Sequence, residues 1–341
     1  MNVKERSVTR SVAALGSVMC LLCGAARADV DAAAVESAKN AFLSRMVEKH
    51  GFEKASLAAT LDGIKINDKI LETISKPVER VVPWYEYRKI FLTNERIGAG
   101  ADFWMQHAAE VEAASERYGV APEMLVAILG VETYFGQRMG TYRVLDALGT
   151  LAFAYPPRSR FFASELESFL LMSREEGPAV LDAVGSYAGA MGAGQFIPSS
   201  FRAYAVDADG DGRRDVWHDW DDILGSVANY FEVHGWQRAE PVADRAELEG
   251  GDARPPSGNA LDFDHTVDEL KRMGYKFSSA LPGTAPAAVV ALEGEGGATE
   301  YWIGYRNFRV ITRYNSSPKY ALAAFELSQA IRDAYFARTA E

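Results

Sequence analysis

Along most of the chain, apolar positions recur every three or four residues, the spacing of a helix face rather than of a strand. Phe42, Leu43, Met46 and Val47 form one such face, and Gly51 stands where a C-terminal cap is expected. A second helical stretch covers 102–118; Gly119 closes it, and Pro122 suits the first turn of the next helix. That helix, 122–132, carries Met124, Leu125, Val126, Ile128, Leu129 and Val131. It is apolar nearly all round, which predicts a central, buried element. Further helices are expected at 160–174, 222–234 and 319–337. The pattern shifts after Trp236: 250–259 is rich in Gly, Pro and Ser and reads as a linker. Strand-like segments follow at 287–292, 301–305 and 308–312, with Arg306-Asn307 as the turn of a hairpin between the last two. The pattern predicts a mainly α (α+β) protein with a small β-containing subdomain inserted late.

The N-terminus has a different character. Lys4, Arg6 and Arg10 precede a short apolar run from Ser11 to Gly24, and Ala26-Arg27-Ala28 supplies small residues at cleavage offsets. This is the secretory signal pattern, and the run is too short for a membrane span of ~20 apolar residues. Met19 precedes Cys20 and Leu22 precedes Cys23, so neither cysteine has the small neighbour of a lipoprotein cysteine. A soluble, periplasmic chain beginning near Asp29 is expected, with no transmembrane segment. Four parts result: a signal peptide at 1–28, a helical region with the catalytic core at 29–238, the β-containing part at 239–312, and a C-terminal helix completing the core at 313–341.

Charge and cysteine count take on meaning only after that division. The 341 residues hold 36 basic and 47 acidic side chains, a formal net charge of −11. The leader removes Lys4, Arg6, Arg10 and Arg27 against Glu5 alone, leaving 313 residues with a net charge of −14 and no cysteine. That excludes disulfides, thiol catalysis and thiolate metal sites, and it argues against a nucleic-acid partner.

Two stretches carry candidate chemistry. Between Arg117 and Arg138 there is no Lys or Arg, and the only carboxylates are Glu123 and Glu132. Glu132 ends the apolar helix, where desolvation disfavours the anion and raises the pKa, as a general acid requires; a glutamate pointing into solvent is the alternative. The run from Gly185 to Ser200 is rich in small residues that let backbone and ligand approach closely, with Ser186 and Gln195 as its hydrogen-bonding groups. It lacks the Lys-Ser/Thr ending of a phosphate loop. Near the C-terminus, Arg313-Tyr314-Asn315 precedes the last helix and Tyr320 opens it.

Gly130-Val131-Glu132-Thr133, Leu145-Asp146-Ala147-Leu148, 189–200, 225–231 and Arg313-Tyr314-Asn315 together, in order and spacing, resemble the membrane-bound lytic murein transglycosylase B family. The resemblance spans about 42–335 and implies a lysozyme-like core that cuts peptidoglycan glycan strands. It implies Glu132 as the single catalytic acid/base, with Tyr87, Phe161, Ser186, Gln195, Tyr230, Tyr314, Asn315 and Tyr320 lining the sugar groove. Phe161 is a departure, since a tyrosine is expected there; its ring still stacks, but one hydroxyl contact is lost. Most glycosidases use two carboxyl groups. The route implied here uses one, with the sugar's own 2-acetamido group assisting and its C6 hydroxyl attacking C1 to close a 1,6-anhydro ring.

An Asp-rich loop stands out independently of that likeness. Asp207, Asp209, Asp211 and Asp215 fall at positions 1, 3, 5 and 9 of an EF-hand loop, with Gly212 at position 6 and the Arg213 carbonyl at position 7. Oxygen donors favour calcium over zinc. Position 12 is His218, not glutamate; Asp219, Asp221 and Asp222 follow, and the resemblance implies closure by Asp221. A solvated acidic turn is the plainer reading. The expected cofactor is a structural Ca2+, with no organic cofactor. The alternatives to the lytic enzyme are a lysozyme-type muramidase and a non-catalytic peptidoglycan-binding protein. No His-Glu-x-x-His or Gly-x-Ser-x-Gly motif supports metallo- or serine hydrolysis.

Overall fold

The structure is a computed structural model that describes residues 31–76, 82–249 and 262–340. The leader at 1–28 and the linker at 250–259 lie outside the described residues. The described residues divide into two compact units, one within Glu240–Ala323 and the other formed by the described residues up to Ala239 together with those from Ala324 onward.

The larger unit is helical. Its helices are α1 (Ala32–His50), α2 (Lys54–Asp62), α3 (Asp68–Ser75), α4 (Trp84–Phe91), α5 (Asn94–Gln106), α6 (Ala108–Tyr118) and α7 (Pro122–Thr133). A two-residue strand β1 (Tyr142–Arg143) leads into α8 (Val144–Ala154) and α9 (Ser159–Glu176); β2 (Val184–Gly185), α10 (Pro198–Tyr204) and α11 (Trp220–Val233) follow. The nearly all-apolar sequence of α7 has the expected outcome: every residue from Met124 to Gly130 is buried. Helix α8 is its counterpart, buried from Ala147 to Phe153. It also anchors the α2–α3 connection, where the backbone N–H groups of Lys65 and Asn67 donate to Asp146 (2.9 Å) and to the Thr150 hydroxyl (3.1 Å).

The stretch expected as one helix over 102–118 is two. His107 leaves helical geometry (φ −118°, ψ 34°), and its ring packs at 4.7 Å from Phe103 and 5.0 Å from Trp220. The break lets an aromatic cluster form where a straight helix would carry His107 past it.

In the smaller unit, β3 (Ala243–Leu248), β4 (His265–Thr266), α12 (Val267–Arg272), β5 (Tyr275–Lys276), β6 (Pro286–Glu293) and β7 (Thr299–Gly304) build an antiparallel sheet in the order β4-β6-β7-β3-β5. Val267, Leu270, Tyr275, Ile303 and Tyr305 fill its core. The hairpin expected at Arg306-Asn307 does not exist. Residues 308–312 lie in α13 (Arg306–Tyr314), and β7 pairs with β6 and β3 instead. The β-branched run is overridden by packing: Phe308, Ile311 and Thr312 fall on one buried helix face, and the Asn307 side chain donates to the Glu240 carbonyl at 2.8 Å. The last helix, α14 (Pro318–Thr339), contributes its first residues to this unit and the remainder to the other.

Candidate active site

Glu132 stands half-buried in the last turn of α7. Beyond it the chain turns sharply: Tyr134 (φ 53°), Phe135 (φ 58°) and Gly136 (φ 79°) are left-handed in succession. Left-handed backbone costs a residue with a side chain about 1–2 kcal/mol, so packing must hold this turn. That packing is aromatic. The buried Phe135 ring stacks on Phe103 at 5.6 Å, and Phe103 meets Trp220 edge-on at 4.8 Å. Phe135 also explains Gly130, where a Cβ would lie 2.8 Å from its ring; at Gly100 a Cβ would meet Ile331 first, at 2.5 Å, and the Phe135 ring at 3.0 Å. Gly130, two residues before Glu132, therefore makes room for the side chain that secures the turn after it.

Thr133, 1% exposed, joins this turn to the glycine-rich run. Its hydroxyl donates to the Ala193 carbonyl at 2.8 Å and accepts from the Gly136 N–H at 3.0 Å. The run itself is folded back on β2. Tyr142 of β1 pairs with Gly185, and Met191 bridges to both Gly185 and Phe196. A Cβ at Gly140 would lie 2.1 Å from the Gly185 carbonyl oxygen, and one at Gly192 would lie 2.2 Å from that of Val216, so only glycine fits. Ser186 accepts from the Ala190 N–H at 3.0 Å. Gln195 is left-handed (φ 51°), and its side-chain amide donates to the carbonyls of Gly192 (2.9 Å) and Met139 (3.3 Å), which fixes its orientation.

Tyr87, on α4, lies within electrostatic reach of Glu132. Burial, and then the negative charge of Glu132, push its hydroxyl pKa up to about 12. Its ring packs against Trp84 (6.4 Å) and Phe91 (5.3 Å). Phe161 is partly exposed in the first turn of α9, with the Arg158 guanidinium 4.5 Å over its ring. Tyr230, in contrast, is 8% exposed, stacked on His234 at 4.1 Å and edge-on to Tyr204 at 4.9 Å. Tyr314, Asn315 and Tyr320 belong to the Glu240–Ala323 unit, at the junction of α13 and α14. There the Asn315 side chain accepts from the Ser317 N–H at 3.1 Å, and Tyr320 is buried.

Sequence reasoning gave no role to Glu165. This buried α9 carboxylate accepts from the Ser199 N–H (3.0 Å) and hydroxyl (2.8 Å) at the start of α10, just beyond Gln195. Burial holds its pKa above the ordinary carboxylate range, although the Ser199 bonds pull the other way. A single acid four residues after Phe161, in an otherwise apolar helix face, was its only sequence signal.

In the Asp-rich loop, Asp207, Asp209 and Asp211 each offer a carboxylate oxygen within 4.8 Å of the others. Gly210 (φ 82°) and Gly212 (φ 90°) make the turn, and their N–H groups donate to Asp207 at 2.7 and 2.9 Å. The Arg213 N–H donates to Asp211 at 2.8 Å. Burial, then the charges of Asp219, Glu110 and Asp209, raise the Asp221 pKa, which places Asp221 within electrostatic reach of the loop. Asp222 does something else. Buried at 1% exposure, it accepts from the N–H groups of Ala208 and Asp215, both at 2.7 Å, and so clamps the two ends of the loop. Asp215 accepts from the N–H groups of Trp217 and His218, both at 2.9 Å. The loop is tied to the glycine-rich run by the Ala193 N–H, which donates to the Val216 carbonyl at 2.9 Å.

Comparison with known proteins places these features in context. The model of the transglycosylase SLT domain family matches residues 34–329. Membrane-bound lytic murein transglycosylase B of Escherichia coli is 42% identical over 299 residues, covering 85% of this chain and 81% of the relative. The structure of catenated lytic transglycosylase SltB1 from Pseudomonas aeruginosa superposes with a TM-score of 0.82 at 45% identity, covering 87% of this chain and 97% of that one. Lytic transglycosylase Slt35 of E. coli, in complex with calcium, gives 0.78 at 40% identity, covering 88% and 94%.

Proposed function

The chain belongs to the transglycosylase SLT domain family, and on that premise we propose that it is an exported, periplasmic lytic transglycosylase that cuts the β-1,4 bond between N-acetylmuramic acid and N-acetylglucosamine. The observation that carries this reading is Glu132, a half-buried acid at the end of the central helix, electrostatically coupled to Tyr87 and followed by a rigid turn. In its protonated form, Glu132 donates to the glycosidic oxygen as the C1–O bond breaks. The acetamido oxygen of the same sugar stabilises the cation that develops. Glu132, now a carboxylate, takes the C6 hydroxyl proton as that oxygen bonds to C1. The proton lost in the first step is regained in the second, and no water is consumed. Attack from within one sugar gains in effective concentration.

Tyr87, Phe161, Ser186, Gln195 and Tyr230 are the proposed sugar contacts of the helical unit; the roles of Tyr314, Asn315 and Tyr320 rest on the resemblance alone. The Asp-rich loop fits a hard divalent cation, since its converging donors are all oxygen. Asp207, Asp209, Asp211, the Arg213 carbonyl and Asp221 would hold calcium, which would offset two of their four negative charges. Asp222, buried and bonded to the N–H groups of Ala208 and Asp215, serves the loop's shape. Mass spectrometry of fragments released from intact sacculi tests the reaction: 1,6-anhydromuramic ends are expected, and reducing ends alone would mean hydrolysis.

A further inference from the structure

One buried acid takes no part in the reaction. Glu165, on α9, is 5% exposed, and among the described residues no cation compensates it. A carboxylate buried without a cation costs more than a neutral amide of the same shape. Both of its oxygens are committed to one residue: Oε2 accepts from the Ser199 N–H at 3.0 Å, and Oε1 from the Ser199 hydroxyl at 2.8 Å. Ser199 is the second residue of α10. The first residues of a helix carry N–H groups with no partner inside it, and Ile197, the residue before α10, supplies no side-chain cap. Glu165 takes that place from a helix 34 residues earlier in the chain.

The tie joins two segments that carry proposed sugar contacts. Phe161 lies one helical turn before Glu165 on α9, and Gln195 lies shortly before Ser199 in the glycine-rich run. Little slack separates Gln195 from Ser199. The Phe196 N–H donates to the Met191 carbonyl at 2.9 Å, and the Met191 N–H donates back to Phe196 at 2.8 Å. Phe196 and Ile197 are buried, and the ring of Pro198 fixes its own φ. The Gln195 amide nitrogen is committed to the Gly192 and Met139 carbonyls, which leaves the amide oxygen for a sugar hydroxyl. A shift of Ser199 relative to α9 is therefore passed on to Gln195 rather than absorbed between them.

We propose that Glu165 is a positioning residue for glycan binding, one that touches no sugar itself but, through Ser199, sets the spacing between Phe161 and Gln195 that a sugar chain must fit. This rests on the glycan-cleaving reading above. A carboxylate suits the task because it accepts both Ser199 bonds at once, and hydrogen bonds to an ionised acceptor are shorter and stronger than neutral ones. The two bonds together leave Ser199 no freedom to rotate away from α9.

The test is steady-state kinetics on isolated glycan strands, with anhydromuramic ends as the product, at a temperature where each variant is fully folded. Glu165→Ala removes both bonds and is expected to raise KM about five- to tenfold, the loss of one hydrogen bond to sugar, with kcat within about twofold of wild type. Glu165→Gln keeps an acceptor for the Ser199 N–H and should recover most of that KM. Ser199→Ala breaks only the hydroxyl bond, so it serves if Glu165→Ala does not fold, and it should raise KM by a smaller factor. Adding Gln195→Ala to either variant should cost less than Gln195→Ala costs in the wild-type protein, because residues acting through one contact are not additive. Glu167→Ala, on the same helix, loses the Lys49 and His50 side chains as partners and should lower the melting temperature without moving KM. An unchanged KM in Glu165→Ala and Ser199→Ala, full additivity with Gln195→Ala, or an equal rise of KM in Glu167→Ala overturns the positioning role. A wild-type protein that releases no anhydro fragments overturns the enzymatic reading itself, and the positioning role with it.

Discussion

The hydroxyl of Thr133 donates to the main-chain carbonyl of Ala193 at 2.8 Å, which ties the residue after Glu132 to a loop 60 positions further along. The bond is fully buried. Thr133→Val keeps the shape but leaves the Ala193 carbonyl and the Gly136 N–H without this partner, at a cost of about 1–3 kcal/mol. Urea unfolding should show that loss together with a lower kcat, and Thr133→Ser should recover most of both.

Glu132→Gln should abolish fragment release and leave the melting temperature nearly unchanged, because an amide of the same size replaces a half-buried carboxyl group. A purified variant that still turned over sacculi at a tenth of the wild-type rate would move the acid elsewhere.

Gly130→Ala places a methyl group against the Phe135 ring, where a Cβ would approach to 2.8 Å. Overpacking of this kind costs about 1–3 kcal/mol. The strain falls on the turn that follows Glu132, so activity should fall further than stability does. The check is kcat/KM measured at a temperature where both proteins are fully folded.

Calcium should raise the melting temperature in proportion to the logarithm of its concentration, by about 2.7 kcal/mol of stability at a hundredfold excess over Kd. Asp207→Asn should flatten that response. Identical melting curves in millimolar calcium and in excess chelator would argue for a solvated acidic turn.

Tyr87 gives the protein a stability that depends on alkaline pH. Its folded pKa, raised to about 12 from the ordinary tyrosine value of about 10, means that the folded state holds the proton more tightly than the unfolded chain does. The contribution is complete below about pH 10 and is lost as the pH rises to about 12. Tyr87→Phe should remove part of that decline in thermal melts recorded across the range.

How legible all this is in the sequence depends on the range of the forces involved. Helix α7 was readable because an element buried on every side must be apolar on every side, and the Asp-rich loop because carboxylate spacing is itself the chemistry. Helix α13 was not: Phe308 to Thr312 favours a strand locally, and only burial of Phe308, Ile311 and Thr312 on one face selects the helix. The break at His107 and the left-handed run from Tyr134 to Gly136 depend on Phe103, Phe135 and Trp220, residues brought together by tertiary structure alone. Of the four aspartates from 215 to 222, only the fold tells the clamp, Asp222, from the proposed ligand, Asp221.

The Asp222 clamp has a consequence for cation binding. Because Ala208 and Asp215 are already fixed by a buried carboxylate, the ends of the loop are ordered when the protein folds, and an arriving ion has little chain entropy left to remove. What an ion must chiefly overcome is its own hydration, and what it relieves is the mutual repulsion of Asp207, Asp209 and Asp211. Two of those three carboxylates are exposed, so ionic strength weakens that repulsion before any ion arrives. Affinity at this loop should therefore decline with added monovalent salt while the fold around it stays intact.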